Sequence, residues 1–283
     1  MNIPVEILYG IKVDSTQPME GGQTSNTIKI TNARRQYVLK SHATIDLAHN
    51  EFLCLDALSL INMTPKPIKT LDGSLCFRWE DSYYILMEYV LAERLGHCII
   101  DYFALGKNVR RMHRKLCSIE LTNVNDRFNE CHMIENLENK KIQEVITGIK
   151  MPEVEDNTES IIHGDLGFWN ILLNDEDFYF IDFGETMLSD CFFDLAAIVE
   201  SLDLNEANIH QLLRGYGPSD PSAYSRLMKM RYRWKYRGAL YLAVNDLVGE
   251  ERMIEILKEI SLFSKEVELS KNNPYRAWSD VDD

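Results

Sequence analysis

The stretch from Ser160 to Ala196, SIIHGDLGFWNILLNDEDFYFIDFGETMLSDCFFDLA, is the part of the chain from which the fold can be read. Ile161 and Ile162 end an apolar strand-like run, and His163, Asp165 and Asn170 follow in a short polar turn. Ile171-Leu172-Leu173 and Phe178-Tyr179-Phe180-Ile181 predict the two strands of a hairpin closed by Asn174-Asp175-Glu176-Asp177. A hairpin brings its open ends together. Asp165 and Asn170, ahead of the first strand, are therefore expected close to Asp182, just after the second. Two carboxylates and an amide converging there suit a hard cation, because Mg²⁺ takes oxygen ligands and often shares its site with phosphates. One of the carboxylates can instead serve an acceptor.

Upstream of this segment the first 90 residues read as strand-rich. Thr27 to Thr31, Tyr37 to Lys40, Leu75 to Trp79 and Tyr83 to Tyr89 are β-compatible runs separated by turn-forming residues. One helix interrupts them, from about Thr44 to Leu60, where Ile45, Leu47, Phe52, Leu55, Leu58 and Leu60 recur without Gly or Pro. After Tyr89 the period changes: Leu105, Val109, Met112 and Leu116 form one buried helical stripe. Glu120 to Ser160 is polar and Asn-rich, with one helix expected near Ile134 to Ile146. Beyond Ser201 helices dominate again, one lined by Leu227, Met230, Trp234, Tyr241, Val244 and Val248, another over Met253 to Phe263.

Composition narrows the function. The chain has 283 residues, with 44 Asp+Glu against 30 Lys+Arg and a net charge of −14, which argues against a generic nucleic-acid binder. At roughly 150 residues per domain this length gives two domains, or one large domain in two lobes. The opening MNIPVEILYG lacks a basic n-region and a long apolar run, and no stretch reaches membrane-helix length, so a cytoplasmic protein without a membrane partner is expected. The six cysteines contain no CxxC pair and read as buried free thiols. Walker A, Rossmann GxGxxG, GxSxG and HExxH strings are all missing. Arg226, Lys229, Arg231, Arg233, Lys235 and Arg237 are spaced mostly by two, which scatters them around a helix as a solvated face rather than an RNA site.

The spacing His163-x-Asp165-x-x-x-x-Asn170, followed by Asp182-Phe183-Gly184, resembles the catalytic and metal loops of kinases. Gly164 stands where protein kinases have Arg. HGDLGFWNILL, IDFG and SDCFFDLA together closely resemble the aminoglycoside phosphotransferase and choline-kinase-like family of small-molecule kinases. The resemblance implies a two-lobe, protein-kinase-like α+β fold, with a β-rich N-lobe over residues 1–90 and a mostly helical C-lobe over 91–283. The nucleotide would lie between them.

It further implies that Asp165 orients the acceptor hydroxyl and takes its proton, and that Asn170 and Asp182 hold Mg²⁺. Glu20 to Asn26 resembles the family's phosphate-covering turn, in which Gly22, Thr24 and Ser25 would meet phosphates; read alone, Gly21-Gly22 is also compatible with a plain hairpin turn. Lys40 looks like the phosphate-binding lysine and Glu51 its ion-pair partner, while the backbone at Glu88 and Val90 would read the purine of ATP or GTP. The family's Asp-Leu-Ala, here Asp194 to Ala196, would support the catalytic loop. His163 reads as a structural loop histidine and His113 as a core one.

Bulky Trp169 departs from the small residue usual before the loop Asn, and the region after Ser201, which builds the acceptor pocket in such enzymes, is the least family-like. The expected partner is a small-molecule hydroxyl, best an aminoglycoside or similar cation, acted on by a monomer or weak dimer. Choline, homoserine, a macrolide or a sugar is the alternative acceptor, and a non-catalytic nucleotide-binding regulator is a rival from another class.

Overall fold

The structure is a computed structural model that describes residues 4–19, 26–33, 35–95, 100–124, 130–149, 159–174, 177–218 and 220–270. Two compact units divide the chain: Met1–Ile99, Met112–Val124 and Phe168–Thr186 form the first, and Ile100–Arg111, Asn125–Gly167 and Met187–Asp283 the second.

The first unit opens with a short helix α1 (Val5–Tyr9), then strands β1 (Ser15–Pro18), β2 (Thr27–Asn32) and β3 (Arg35–His42), helix α2 (Ile45–Ser59), and strands β4 (Pro67–Ile68), β5 (Phe77–Trp79), β6 (Ser82–Glu88) and β7 (Glu93–Arg94). The sheet is antiparallel in the order β1-β2-β3-β6-β4, with β5 also on β6. Ile30, Tyr37, Leu39, Tyr84 and Leu86 pack on Val5 and Tyr9 of α1, a helix too short to carry a periodic signal. Helix α2 starts where Thr44 Oγ1 accepts the N–H of Leu47, as an N-cap does. It buries Ala48, Glu51, Phe52, Cys54, Leu55 and Leu58.

The expected hairpin is present as β9 (Ile171–Asn174) and β10 (Asp177–Phe180), paired from Asn174↔Asp177 to Ile171↔Phe180. The other edge of β9 pairs with β7, and the Phe180 N–H donates to the Met63 carbonyl at 2.8 Å, which ties the hairpin to the segment after α2.

Helix α3 (Tyr102–Leu116) runs across the division between the units. The second unit also holds α4 (Glu130–Glu135), α5 (Lys140–Thr147), the ribbon of β8 (Glu159–Ile162) with β11 (Met187–Asp190), and helices α6 (Phe192–Ser201), α7 (Glu206–Tyr216), α8 (Ala223–Val244) and α9 (Glu250–Ser270). The single helix expected over Ile134 to Ile146 is in fact two. Asn139 breaks it by accepting the N–H groups of Lys141 and Ile142, so its side chain caps α5 instead of continuing α4. Helix α8 ends at Val244, short of Val248, and Asp246 just beyond takes a positive φ of 49°. Ile142, Ile146, Tyr232, Tyr236, Leu240, Met253, Leu257 and Ile260 make the core shared by α5, α8 and α9.

The basic run on α8 is not a solvated face. Arg226 forms a forked pair with Asp190 of β11 at 2.5 and 2.7 Å, and Arg231 and Lys235 both reach Glu200 of α6. Arg237 is buried over the Phe193 ring. Residues 231 and 235, four apart, share a side of the helix and meet Glu200 together, whereas Arg226 points to a different side and meets Asp190. The thiol reading is corrected likewise: Cys54 and Cys76 are buried, but Cys117 is exposed and Cys191 half-buried.

Helices α3 and α7 touch through their glycines. A methyl group at Gly106 would run into the Leu212 carbonyl and stand 2.8 Å from the Tyr216 nitrogen, and one at Gly215 would run into the Phe103 carbonyl. Gly106→Ala is therefore expected to destabilise the protein by ~1–3 kcal/mol, the usual cost of forced overpacking, because the obstacle is rigid backbone. A urea midpoint equal to wild type would show that the helices part freely.

Candidate active site

Strand β3 places Lys40 and His42, two residues apart, on one face of the sheet, and α2 lays Glu51 against that face. Lys40 Nζ donates to both Glu51 oxygens at 2.8 and 2.7 Å and to Asp182 Oδ1 at 2.6 Å. Glu51 is fully buried, and its Oε2 also lies 3.3 Å from His42 Nε2. Asp182 is the only outward-reaching member, with 42% of its side chain exposed. Its backbone is left-handed, φ 67°, as the chain leaves β10 for the turn Phe183–Glu185. A methyl group at Gly184 would press within 3.2 Å of Asp182 Oδ1 and 3.6 Å of Lys40 Nζ.

Electrostatics explain the arrangement. Burial pulls the Lys40 ammonium down, but the charges of Glu51 and Asp182 and their hydrogen bonds outweigh it, so its pKa stands above the ordinary lysine value. Burial pushes the Glu51 carboxyl up to about 7 against the attraction of Lys40 and a hydrogen bond from the Phe183 backbone. One ammonium thus serves two carboxylates. Such a lysine is fixed in place and charged.

The hairpin brings Asn170 to the same end as Asp182: the Ile181 N–H donates to the Asn170 carbonyl at 3.0 Å, one residue before Asp182. Both side chains offer oxygen, the donor type a hard divalent cation takes. Among the described residues no group of three or more His, Cys, Asp or Glu side chains is arranged to hold a metal. A cation on Asn170 and Asp182 would complete its shell with phosphate or water, which fits Mg²⁺.

The second unit builds the Asp165 loop. Asp194, buried in the first turn of α6, accepts the backbone N–H of His163 at 2.8 Å on one oxygen and that of Gly164 at 2.9 Å on the other. Gly164 has φ 84°, which glycine adopts without a Cβ clash. His163 is fully buried and its Nδ1 accepts the Asp165 N–H at 3.3 Å, a structural role. Half-buried Asp165 keeps its carboxylate at the end of this bracing. His113 is also buried.

At the end of β6 the Glu88 N–H donates to the Lys66 carbonyl at 2.9 Å, Glu88 is exposed and Val90 half-buried. Gly22, Thr24 and Ser25 lie outside the described residues. The sequence reading missed His42. Its signal was the two-residue step from Lys40, which in a strand means a shared face.

A lysine fixed by a helix glutamate and by the aspartate of an Asp-Phe-Gly turn, with a braced His-Gly-Asp loop, is the equipment of a kinase-like phosphotransferase. The model of the phosphotransferase enzyme family matches residues 15–228, and the chain belongs to that family, whose members here are small-molecule kinases of the protein-kinase-like fold. No curated protein matches it by sequence. Among solved structures it is similar to an amicoumacin kinase in complex with AMP-PNP and Ca²⁺, with TM-score 0.72, 13% identity, and coverage of 95% of this chain and 92% of that one. A microcompartment-associated aminopropanol kinase gives TM-score 0.68 at 13% identity, covering 94% of each chain. The choline kinase LicA from Streptococcus pneumoniae gives 0.63 at 14% identity, covering 90% of this chain and 96% of that one. Among the described residues no helix is long and apolar enough to cross a membrane.

Proposed function

We propose that this protein transfers the γ-phosphoryl group of ATP or GTP to a hydroxyl of a small cationic molecule, with an aminoglycoside or amino alcohol as the preferred acceptor class. The observation that carries the reading is the buried Lys40, held by Glu51 and Asp182 in a family of phosphotransferases. Lys40 takes the nucleotide phosphates together with the turn of Gly22, Thr24 and Ser25, and Glu51 fixes its position. Backbone groups of Glu88 and Val90 meet the purine. Asn170 and Asp182 hold Mg²⁺, which when bound neutralises charge on the phosphates.

Asp165 accepts the hydrogen bond of the acceptor hydroxyl and takes its proton as that oxygen bonds to the γ-phosphorus. The bond to the β-phosphate oxygen breaks and the nucleoside diphosphate leaves. Catalysis is mainly positioning and charge stabilisation. The acceptor is held by the part of residues 91–283 that follows Ser201, and residues 1–90 hold the nucleotide.

The net charge of −14 supports a cationic acceptor by steering, and the neighbours named for aminopropanol and choline support an amino alcohol. The inward pairing of Arg226, Arg231 and Lys235 removes the argument for an anionic acceptor or RNA. We place the enzyme in the cytoplasm as a monomer or weak dimer. An aminoglycoside acceptor would make it an antibiotic-resistance enzyme.

The test is nucleoside diphosphate release with Mg²⁺ and ATP or GTP against pools of aminoglycosides, amino alcohols, macrolides and sugars. One pool should stimulate release in wild type only; tight nucleotide binding with silence in every pool would favour a regulator. Asp182→Ala is expected to weaken Mg²⁺-dependent nucleotide binding by at least about 10- to 100-fold, the loss already caused by removing a residue that only supports a metal ligand. Titrations at several Mg²⁺ levels that coincide with wild type would remove Asp182 from the metal site.

A further inference from the structure

His42 is a buried titratable side chain that the phosphotransfer scheme above leaves without a task. It ends β3, two residues beyond Lys40, and its side chain is 4% exposed. Only Ser41 separates the two in sequence, and the alternation of the strand sends both side chains to the face that α2 covers. There His42 Nε2 lies 3.3 Å from Glu51 Oε2, the same oxygen that accepts from Lys40 Nζ at 2.7 Å. Glu51 is therefore approached by one cation and by an imidazole nitrogen, from two residues of a single strand.

We infer that His42 is a positioning residue: by standing against Glu51 Oε2, it keeps that carboxylate aimed at Lys40 and so sets the affinity for the nucleotide. The reason is the charge count. Lys40 is shared between Glu51 and Asp182, so when a Mg²⁺-bound nucleotide takes Asp182 as a ligand, Glu51 alone retains the lysine. A fully buried carboxylate left with one ammonium and one backbone N–H is costly to keep ionised, and an imidazole nitrogen 3.3 Å from Oε2 is placed to offset that cost. The groups facing Glu51 are then Lys40 and His42 of β3, Asp182 and the Phe183 backbone from the turn after β10, with Cys54 on α2 itself. Among the described residues, Lys40 and His42 are the ones that bring a side-chain nitrogen to it.

This inference rests on the proposed role of Lys40 in holding phosphates. The ring atom used is Nε2, which sets the test. A glutamine amide reaches the place of Nε2, whereas an asparagine amide reaches only the place of Nδ1. Binding of ADP with Mg²⁺ is measured by calorimetry for wild type, His42→Gln and His42→Asn on the full chain, with a thermal melt of each. His42→Asn is expected to raise Kd on the order of tenfold, or ~1.4 kcal/mol, as the nitrogen next to Glu51 Oε2 is withdrawn. His42→Gln is expected to stay within about twofold of wild type, with the two variants melting together, since a tenfold change in affinity is decided by one atom's reach. Equal affinity in the two variants, or wild-type affinity in His42→Asn, overturns the positioning role while leaving the functional reading intact. Wild-type protein that binds no Mg²⁺-nucleotide overturns both.

Discussion

Asp165→Ala is expected to abolish most phosphoryl transfer while nucleotide binding persists. A positioned proton acceptor contributes about 10²- to 10⁴-fold, so kcat should fall by that factor, equivalent to ~3–5 kcal/mol of transition-state stabilisation. The structure gives a reason for the separation of effects. Asp165 belongs to the loop braced in the second unit by His163 and Asp194, whereas Lys40, Glu51, Asn170 and Asp182 all belong to the first. Removing one half-buried carboxylate leaves both the brace and the lysine cluster standing. The check is single-turnover transfer beside a nucleotide titration of the same preparation. Retained turnover, or a folded variant that no longer binds nucleotide, would take the proton-accepting role from Asp165.

Asp194→Ala should act on stability first and on activity through it. Its two oxygens accept the His163 and Gly164 N–H groups, with Asp194 and His163 fully buried and Gly164 half-buried. A buried donor left without a partner costs about 1–3 kcal/mol, so losing both acceptors should cost ~2–6 kcal/mol. Against a typical stability of ~5–15 kcal/mol that is a large share, and partial unfolding at 37 °C is the expected outcome. Asp194→Asn, which keeps one acceptor oxygen and turns the other into a donor facing an N–H, should lie between alanine and wild type. Urea melts read both values. An alanine variant within ~0.5 kcal/mol of wild type, the range of an unremarkable surface change, would mean that the loop finds other acceptors.

Much of this was written in the sequence because the signals are local. The hairpin of β9 and β10 is two apolar runs around a polar turn, α2 is a long stretch without Gly or Pro behind a threonine cap, and the sheet strands alternate between turn residues. In each case the residues that decide the element lie within a few positions of one another, so period and punctuation suffice. The same holds for the site's inventory. Asp165, Asn170 and Asp182 fall at fixed spacings along one segment, and Lys40 and Glu51 sit on a strand and the helix after it.

Only the tertiary structure decided where those residues go and what the rest of the chain does. The split of α4 from α5 turned on a single asparagine choosing backbone N–H groups over a continued helix, a competition that apolar period does not register. The basic run of α8 was drawn inward by Asp190 and Glu200, which lie 36 and 31 residues before Arg226 and Arg231. Gly106 and Gly215, unremarkable in sequence, mark a crossing of two helices at backbone contact. His42 owes its place to a carboxylate on the next helix. Sequence sets short-range geometry because covalent connection limits it to a few dihedral states; which distant groups meet is fixed by burial and charge pairing across the fold, and these exist only once the chain has closed on itself.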